Sequence, residues 1–433
     1  MEKVLSMARG IADSAEVYYR EIQETEIVFE DSSPSSINHS RRAGVALRIR
    51  KADKTGSSYC SGLDDPAGLV GRAAVSLDAG IKAFFTFPQA HPAEELETFD
   101  PEIEHISDLQ VINEIKRICA LLAGELKGKG QCNVTASYGE AFFHIINTAG
   151  LEVSQKISFY RISPQILFPN SQESLRIRKS ATGFRVFPES RLINLGRAFL
   201  SGLPVLDVTP KGWDAIIAPS AFQVFLWRLE AAASAASLYD GASRLRGKVG
   251  QKIASNIFSL EDDARINGNP QSRWFDDEGV RTRRHPVIEN GIFRGFFSDL
   301  DSASRLKLEP TGHGYRTAMW GGDAVSLKPS PSLSHCRVKP GSESLDEMIA
   351  STRRGVLIEG VLGAHSGNIP NGDFSVGMSP GLYIENGKIR GRLGNTMFSG
   401  NIYPILNKIT SIESSLHESE QGLFPYIKVG DVL

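Results

Sequence analysis

The sequence Tyr383-Ile384-Glu385-Asn386-Gly387-Lys388-Ile389 places an Asn-Gly pair between short runs of β-branched and aromatic residues. Asn-Gly tolerates the positive φ angles of a type I′ turn, and the flanking residues favour strands. The stretch Val287-Ile288-Glu289-Asn290-Gly291-Ile292-Phe293 has the same pattern. Each stretch predicts a β-hairpin, so the C-terminal half of the chain is expected to be rich in β structure.

The N-terminal half combines strand and helix patterns. An opening amphipathic helix is followed by alternating apolar and polar residues at 26–30 and 45–50, which predict paired strands. Asp65-Pro66 supplies a helix cap and a first-turn proline, and Ser107 caps a run whose apolar residues recur every three or four positions. These patterns predict a mixed α/β region.

Two proline-containing segments suggest how the chain is divided. The polar segment 87–95 predicts a surface connection, and the prolines at 204 and 210 precede a predicted strand at 213–217. We therefore predict an N-terminal domain over 1–207, with possible subdomains 1–88 and 100–207, and a second domain over 208–433. The predicted class is α+β, with an N-terminal mixed α/β domain followed by a β-rich C-terminal domain that contains a long helix.

Composition and charge limit the classes of function. A chain of 433 residues with 41% hydrophobic content exceeds what one core usually serves, and its formal charge of -2 favours neither nucleic acid nor an anionic membrane. The alanine-rich segment 215–236 carries Arg228 and Glu230, which is typical of a buried helix rather than a membrane span. Four scattered cysteines and the absence of an apolar leader lead us to expect a cytoplasmic protein with reduced thiols.

The two hairpin stretches belong to a longer ordered array that resembles the TldD/PmbA family, which includes metalloproteases and proteins called modulators of DNA gyrase. Weaker similarities in the N-terminal half extend the resemblance over most of the chain. The further C-terminal motifs are Phe275-Asp276-Asp277-Glu278-Gly279, Gly355-Val356-Leu357-Ile358-Glu359-Gly360, Asn371-Gly372-Asp373-Phe374-Ser375 and Gly400-Asn401-Ile402.

The resemblance also shows where this chain departs from the active TldD-like branch. It leads one to expect His-Glu-x-x-x-His, with two zinc ligands and an acid/base glutamate, on the helix after the strand at 213–217. Here Trp227 and Ala232 stand at the histidine positions and Arg228 at the glutamate position. A cationic arginine would oppose a zinc dication. The chain thus resembles the PmbA branch, also called TldE, and zinc is expected only in a metal-bearing partner subunit.

Helical spacing divides this segment into two faces. One face, formed by large apolar residues and alanines, is expected to lie in the core. The other presents Trp227 and Ser234, so Trp227, Arg228 and Ser234 are candidates for lining a peptide groove. The alternative is that Trp227 packs against a neighbouring domain and Arg228 forms a surface ion pair.

Other polar residues were considered as independent sites. Asp276 and Glu278 could share one side of a strand as an acid and a base, although turn hydrogen bonding or a solvated edge also explains them. Tertiary contacts could bring His313, His335, Cys336 and His365 together as metal ligands. His365, Ser366 and Asp373 include the residue types of a hydrolase triad, but a polar loop explains them equally.

Three functional hypotheses remain. The first is that this chain is the non-metal subunit of a TldD/PmbA-type peptidase complex, holding a TldD-like metallopeptidase partner and acting on unfolded peptides. The resemblance links such complexes to microcin maturation and, indirectly, to gyrase. The second is a homodimeric binding or scaffold protein without catalysis. The third is an autonomous hydrolase with relocated ligands. Neither direct nucleic-acid binding nor membrane association is expected.

Overall fold

The computed structural model describes residues 1–318 and 321–433 and has the predicted α+β class. The helices are α1 (Glu2–Arg9), α2 (Pro66–Asp78), α3 (Asp108–Leu126), α4 (Glu189–Gly202), α5 (Gln223–Ala233), α6 (Ala235–Tyr239), α7 (Leu300–Leu306), α8 (Leu345–Ala350) and α9 (Ile402–Asn407), with 3-10 turns at Pro101–His105 and Ala324–Ser326. Among the described residues, no helix is both long and apolar enough to cross a bilayer.

The strands fall into several sheets. Those before residue 182 are β1 (Ser14–Glu30), β2 (Ser33–Lys51), β3 (Lys54–Cys60), β4 (Gln131–Asn147), β5 (Glu152–Leu167), β6 (Ser174–Arg176) and β7 (Lys179–Ala181). The others are β8 (Val205–Leu206), β9 (Asp214–Ile217), β10 (Leu260–Asp262), β11 (His285–Glu289), β12 (Ile292–Phe293), β13 (Gly314–Tyr315), β14 (Ser330–Pro331), β15 (Cys336–Val338), β16 (Arg354–Ile358), β17 (Val361–Leu362), β18 (Asp373–Met378), β19 (Gly381–Glu385), β20 (Lys388–Leu393), β21 (Met397–Asn401), β22 (Ile409–Ile412), β23 (His417–Ser419), β24 (Gly422–Phe424) and β25 (Ile427–Val429).

The N-terminal sheet has seven strands in the order β3-β2-β1-β4-β5-β6, with β7 paired to β5. Its long strands are antiparallel, and the apolar faces of α3 and α4 pack on it to form one core. The predicted strands at 26–30 and 45–50 are confirmed. The two predicted helix caps are also confirmed. The side chain of Asp65 accepts a hydrogen bond from the amide of Gly68, and the side chain of Ser107 accepts one from the amide of Gln110. The opening helix ends at Arg9.

The C-terminal half is built on a seven-stranded sheet of order β22-β25-β9-β16-β19-β20-β8 and a six-stranded sheet of order β12-β11-β10-β15-β24-β23. The largest apolar core includes α5, whose Phe225, Leu226 and Leu229 are buried. Strand β8 precedes residue 208 yet pairs in parallel with β20. The division at 207/208 stays a prediction.

Both predicted hairpins are confirmed. In the first, between β11 and β12, Asn290 has φ 49° and Gly291 φ 78°. In the second, between β19 and β20, Asn386 has φ 50° and Gly387 φ 73°. Two successive positive φ angles are those of a type I′ turn, which matches the right-handed twist of the flanking strands.

The helical segment that follows β9 is in two pieces. Helix α5 has 11 residues, and Ser234 then adopts an extended conformation with ψ 130° before α6 begins. The amide of Phe297 donates to the carbonyl of Ala233, and the amide of Ala235 donates to the carbonyl of Phe297. These backbone bonds replace the helical ones at Ser234 and account for the break.

Candidate functional site

Arg228 is the centre of the site that the resemblance pointed to. Its side chain is fully buried, and its guanidinium donates to four backbone carbonyls: Val224 at 2.8 Å, Ala364 at 3.1 Å, Ser366 at 2.7 Å and Asp373 at 2.8 Å. The surface ion pair considered for Arg228 is therefore wrong. Because carbonyl oxygens satisfy most of its donors, the buried cation ties α5 to the chain around β18.

The motif residues at 371–373 and 400–401 surround this arginine. The carboxylate of Asp373 accepts from the side-chain amides of Asn371 at 2.5 Å and Asn401 at 2.8 Å. His365 is exposed on the loop between β17 and β18, and the carbonyls on either side of it are those that Arg228 holds. The two motifs thus have a structural explanation, since Asn371, Asp373 and Asn401 form one hydrogen-bonded junction beside Arg228.

The remaining groove candidates differ in exposure. Trp227 is partly buried and packs against the C-terminal core, and its role in a groove stays a prediction. Ser234 is buried in the break after α5 and Arg228 is buried as well, and their role in a groove stays a prediction. Ala232 is buried as well. The side chains at 227, 228 and 232 offer no zinc ligand, and the described residues hold no group of three or more His, Cys, Asp or Glu side chains arranged for a metal.

Asp276 and Glu278 are buried, so the solvated edge considered for them is wrong. The turn hydrogen bonding is confirmed, because one oxygen of Asp276 accepts from the amides of Glu278 and Val280, both at 2.9 Å. Its other oxygen accepts from the amide of Gly314 at 2.8 Å. Burial, reinforced by the charge of Glu278, raises the pKa of Asp276 well above its usual range.

Glu278 joins the two halves of the protein. Its Oε1 lies 2.6 Å from Nη1 of Arg48 on β2, and its Oε2 accepts from the amide of Leu300 at 2.7 Å. Arg48 also binds Oε1 of Glu16, with Nη2 at 2.8 Å and Nε at 3.0 Å. Neither Arg48 nor Glu16 was predicted from the sequence. The available signal was their alternation with apolar residues on strands, where Glu16 and Arg48 prove to be cross-strand partners.

Three of the four residues weighed as metal ligands meet at Asp262, which the sequence analysis did not single out. Nε2 of His313 lies 3.3 Å from Asp262 Oδ2, the amide of His335 donates to Oδ1 at 2.7 Å, and the thiol of Cys336 lies 3.7 Å from Oδ1. His365 lies instead on the loop held by Arg228. Burial acts to raise the pKa of Asp262, but hydrogen bonding and charge from His313 outweigh it and the pKa is lowered.

A second histidine packs against this cluster. The ring of His285 is centred 5.2 Å from that of His313, and its Nε2 is buried without a hydrogen-bond partner. Burial, with the charge of His313, lowers the pKa of His285 to about 4. His285 is therefore neutral at pH 7, and its uncharged imidazole packs beside the buried contact between His313 and Asp262.

Both ends of the chain match models of one protein family. Residues 210–433 match the family model described as PmbA/TldA metallopeptidase C-terminal domain, and residues 15–78 match PmbA/TldA metallopeptidase domain 1. The chain belongs to the PmbA/TldD metallopeptidase family. An uncharacterized protein of Methanocaldococcus jannaschii is 24% identical over 94% of this chain and 93% of its own length.

Two further proteins are similar to this chain. A metalloprotease of M. jannaschii is 30% identical, but the match spans 47% of this chain and 44% of that protein. The crystal structure of TldE from Thermococcus kodakarensis superimposes with a TM-score of 0.89 at 23% identity, covering 100% of this chain and 99% of that one. The protein therefore has the TldE-like fold.

Proposed function

We propose that this protein is the non-metal subunit of a TldD/PmbA-type metallopeptidase complex, in which it pairs with a metal-bearing TldD-like subunit and acts on unfolded peptides. Arg228 carries the proposal. It stands where the resemblance places the acid/base glutamate, and four carbonyls fix its cation there. A buried guanidinium opposes a dication, so the zinc and its chemistry belong to the partner.

The N-terminal sheet offers a way to bind extended chains. Over residues 33–43, strand β2 pairs with β1 on one side, while its pairing with β3 begins at Val45. In the part of the chain that the structure describes, the other edge of 33–43 has no strand partner. An extended segment can add to such an edge through main-chain hydrogen bonds, which accept varied sequences. This supports recognition of unfolded peptide or of a partner strand.

The composition of the complex tests the proposal. The purified chain is mixed with a family member that carries His-Glu-x-x-x-His, and the mass of the product is measured by size-exclusion chromatography with light scattering. We expect one copy of each subunit. A homodimer that persists unchanged in the mixture would contradict the proposal and favour the scaffold hypothesis. Stoichiometric zinc and peptide cleavage in the lone chain would favour the autonomous hydrolase.

A further inference from the structure

A cavity of about 450 Å³ lies between α4 and the C-terminal seven-stranded sheet. Its walls combine aliphatic side chains with charged and polar ones, and a volume of this size suits a small organic ligand. Its apolar side chains include Leu195 and Ala198 from α4, Ile349 from α8, Leu357 from β16 and Ile389 from β20.

An acid lines the cavity. The carboxylate of Glu359, directly after β16, has the hydroxyl of Tyr426 at 3.2 and 3.3 Å from its two oxygens. A phenol has one proton, so Tyr426 satisfies one of these oxygens at a time. The neighbouring Glu413 uses its Oε2 for two bonds, to Nε2 of His417 at 2.8 Å and to the amide of Tyr426 at 3.1 Å. Glu359 therefore keeps acceptor capacity that faces the cavity.

A cation lines the cavity as well. Arg191 of α4 is half-buried, and its guanidinium lies 5.2 Å from the ring centre of Phe187. Within the described residues, no carboxylate oxygen lies within 4.0 Å of a guanidinium nitrogen of Arg191, which is the distance limit for an ion pair. Burial lowers the pKa of Arg191, while Glu418 and Tyr426 act on it in the opposite direction. A desolvated cation without an ion-pair partner has capacity to bind an anion.

We propose that this cavity binds a small zwitterion with an apolar body, whose ammonium group binds Glu359 and whose carboxylate binds Arg191. The aliphatic walls receive the apolar side chains. A free apolar amino acid and a short apolar peptide share this chemistry. The other charged groups at the cavity are Arg176, Arg197, Asp346, Glu413 and His417.

This inference is independent of the proposed function. Every group of the site belongs to this chain, and neither Trp227 nor Arg228 lines the cavity. The lone protein can therefore be tested. If the cavity binds no ligand, the proposed assembly with a TldD-like subunit is not contradicted. If no such assembly forms, the proposed ligand site is not contradicted either.

Calorimetric titration of the full chain at pH 7.4 tests the ligand chemistry. The probes are leucine, leucyl-leucine, N-acetyl-leucyl-leucine and leucyl-leucine amide. We expect at least one of the two zwitterions to bind at least tenfold more tightly than both blocked dipeptides, and comparison of leucine with leucyl-leucine distinguishes the two sources. Equal affinities for free and blocked dipeptides, with no binding of leucine, would overturn the proposal. So would no binding of either zwitterion.

Matched variants test the two anchors. We expect Glu359→Gln and Arg191→Met each to lower the affinity for the preferred zwitterion at least tenfold. The controls Asp346→Asn and Arg197→Met change exposed groups at the same cavity. We expect each control to change the affinity for the preferred zwitterion less than twofold. Circular dichroism verifies folding. Wild-type affinity in a folded Glu359→Gln or Arg191→Met protein would overturn the assignment of that anchor.

The pH dependence gives a second readout that does not require a variant to fold. Burial raises the pKa of Glu359 to about 7, with Tyr426, His417 and Glu413 facing the carboxyl. Binding of an ammonium group requires the ionised form. We therefore expect affinity for the zwitterion to fall between pH 7.4 and 5.5. Affinity that is constant over this range, or that rises as the pH falls, would contradict the role of Glu359.

Discussion

Arg48 and Glu278 are separated by 230 positions in the sequence, yet Nη1 of Arg48 lies 2.6 Å from Oε1 of Glu278. Both side chains are almost completely buried, and Arg48 also binds Glu16. The three residues place one guanidinium between two carboxylates at the contact between the N-terminal sheet and the C-terminal half. This ion cluster links the two halves through buried hydrogen bonds.

Replacement of Arg48 by methionine removes the guanidinium that binds the buried carboxylates of both Glu16 and Glu278, and Arg316 remains near Glu16 only. Loss of one partner from a buried ion pair typically costs about 3–5 kcal/mol, so we expect Arg48→Met to lower the free energy of unfolding by this order. Urea unfolding measures the change. Arg284→Met, which removes the exposed ion pair with Glu261, serves as the control and is expected to change little. Similar stability of the two variants would contradict the role of the cluster.

Arg228 is expected to hold the loop around His365 in place. Arg228→Met removes the donors to the carbonyls of Ala364, Ser366 and Asp373, so we expect a loss of roughly 2–4 kcal/mol in unfolding free energy. We also expect faster amide hydrogen exchange at 363–374. The control is Arg244→Met, because Arg244 is exposed and donates to the side chain of Asn371. Unchanged exchange in the folded Arg228→Met protein would show that the loop does not depend on this arginine.

The first hairpin turn depends on glycine for space as well as for conformation. Gly291 has φ 78°, and an added Cβ would lie 2.4 Å from the carbonyl oxygen of Ala254. Gly268 has φ 72° with open space around it. We expect Gly268→Ala to cost about 1 kcal/mol from the left-handed backbone alone. Gly291→Ala should cost roughly 1–3 kcal/mol more. Thermal unfolding compares them, and equal costs would contradict the steric argument.

His285 is expected to make stability depend on pH. Its folded pKa of about 4 is below the ordinary 6.5, so between these values the unfolded chain binds more protons. Stability contributed by neutral His285 is present above pH 6.5 and is lost as the pH falls toward 4, by at most about 1.4 kcal/mol per unit. Urea unfolding of wild type and His285→Asn between pH 7 and 4.5 should show a shallower fall in the variant.

The same experiment separates His285 from an opposing group. Burial, with the charge of Glu278, raises the pKa of Asp299 to about 6, so this carboxyl lowers stability as the pH rises toward 6. Asp299 is present in both proteins, and its effect cancels in the difference between them. Parallel pH profiles for wild type and His285→Asn would rule out the histidine as the source.

Local signals in the sequence predicted the elements whose structure is decided locally. Asn386-Gly387 specifies its turn because both φ angles are positive, and Asp65 caps α2 through an amide three residues away. The end of α5 was not predictable in this way. It depends on backbone bonds between Phe297 and the residues on either side of Ser234, which lie far apart in the sequence.

The chemistry of the buried polar residues depends on tertiary contacts. In the sequence, Asp276 and Glu278 belong to a run of polar residues. Both are buried in the structure, where the amide of Gly314 binds Asp276 and the guanidinium of Arg48 binds Glu278. Asp262 carried no motif, although it organises His313, His335 and Cys336. Period-two and period-3.6 patterns identify faces of strands and helices, but they do not show which distant charge completes a buried pair.

The central claim is that this chain contributes to peptide cleavage through a metal-bearing partner. The most direct test measures the initial rate of cleavage of an unfolded peptide by a fixed amount of a His-Glu-x-x-x-His family member while this chain is added. We expect no cleavage by this chain alone and a rate that rises and saturates at one copy per partner. A rate that is unchanged by any amount of this chain would contradict the account.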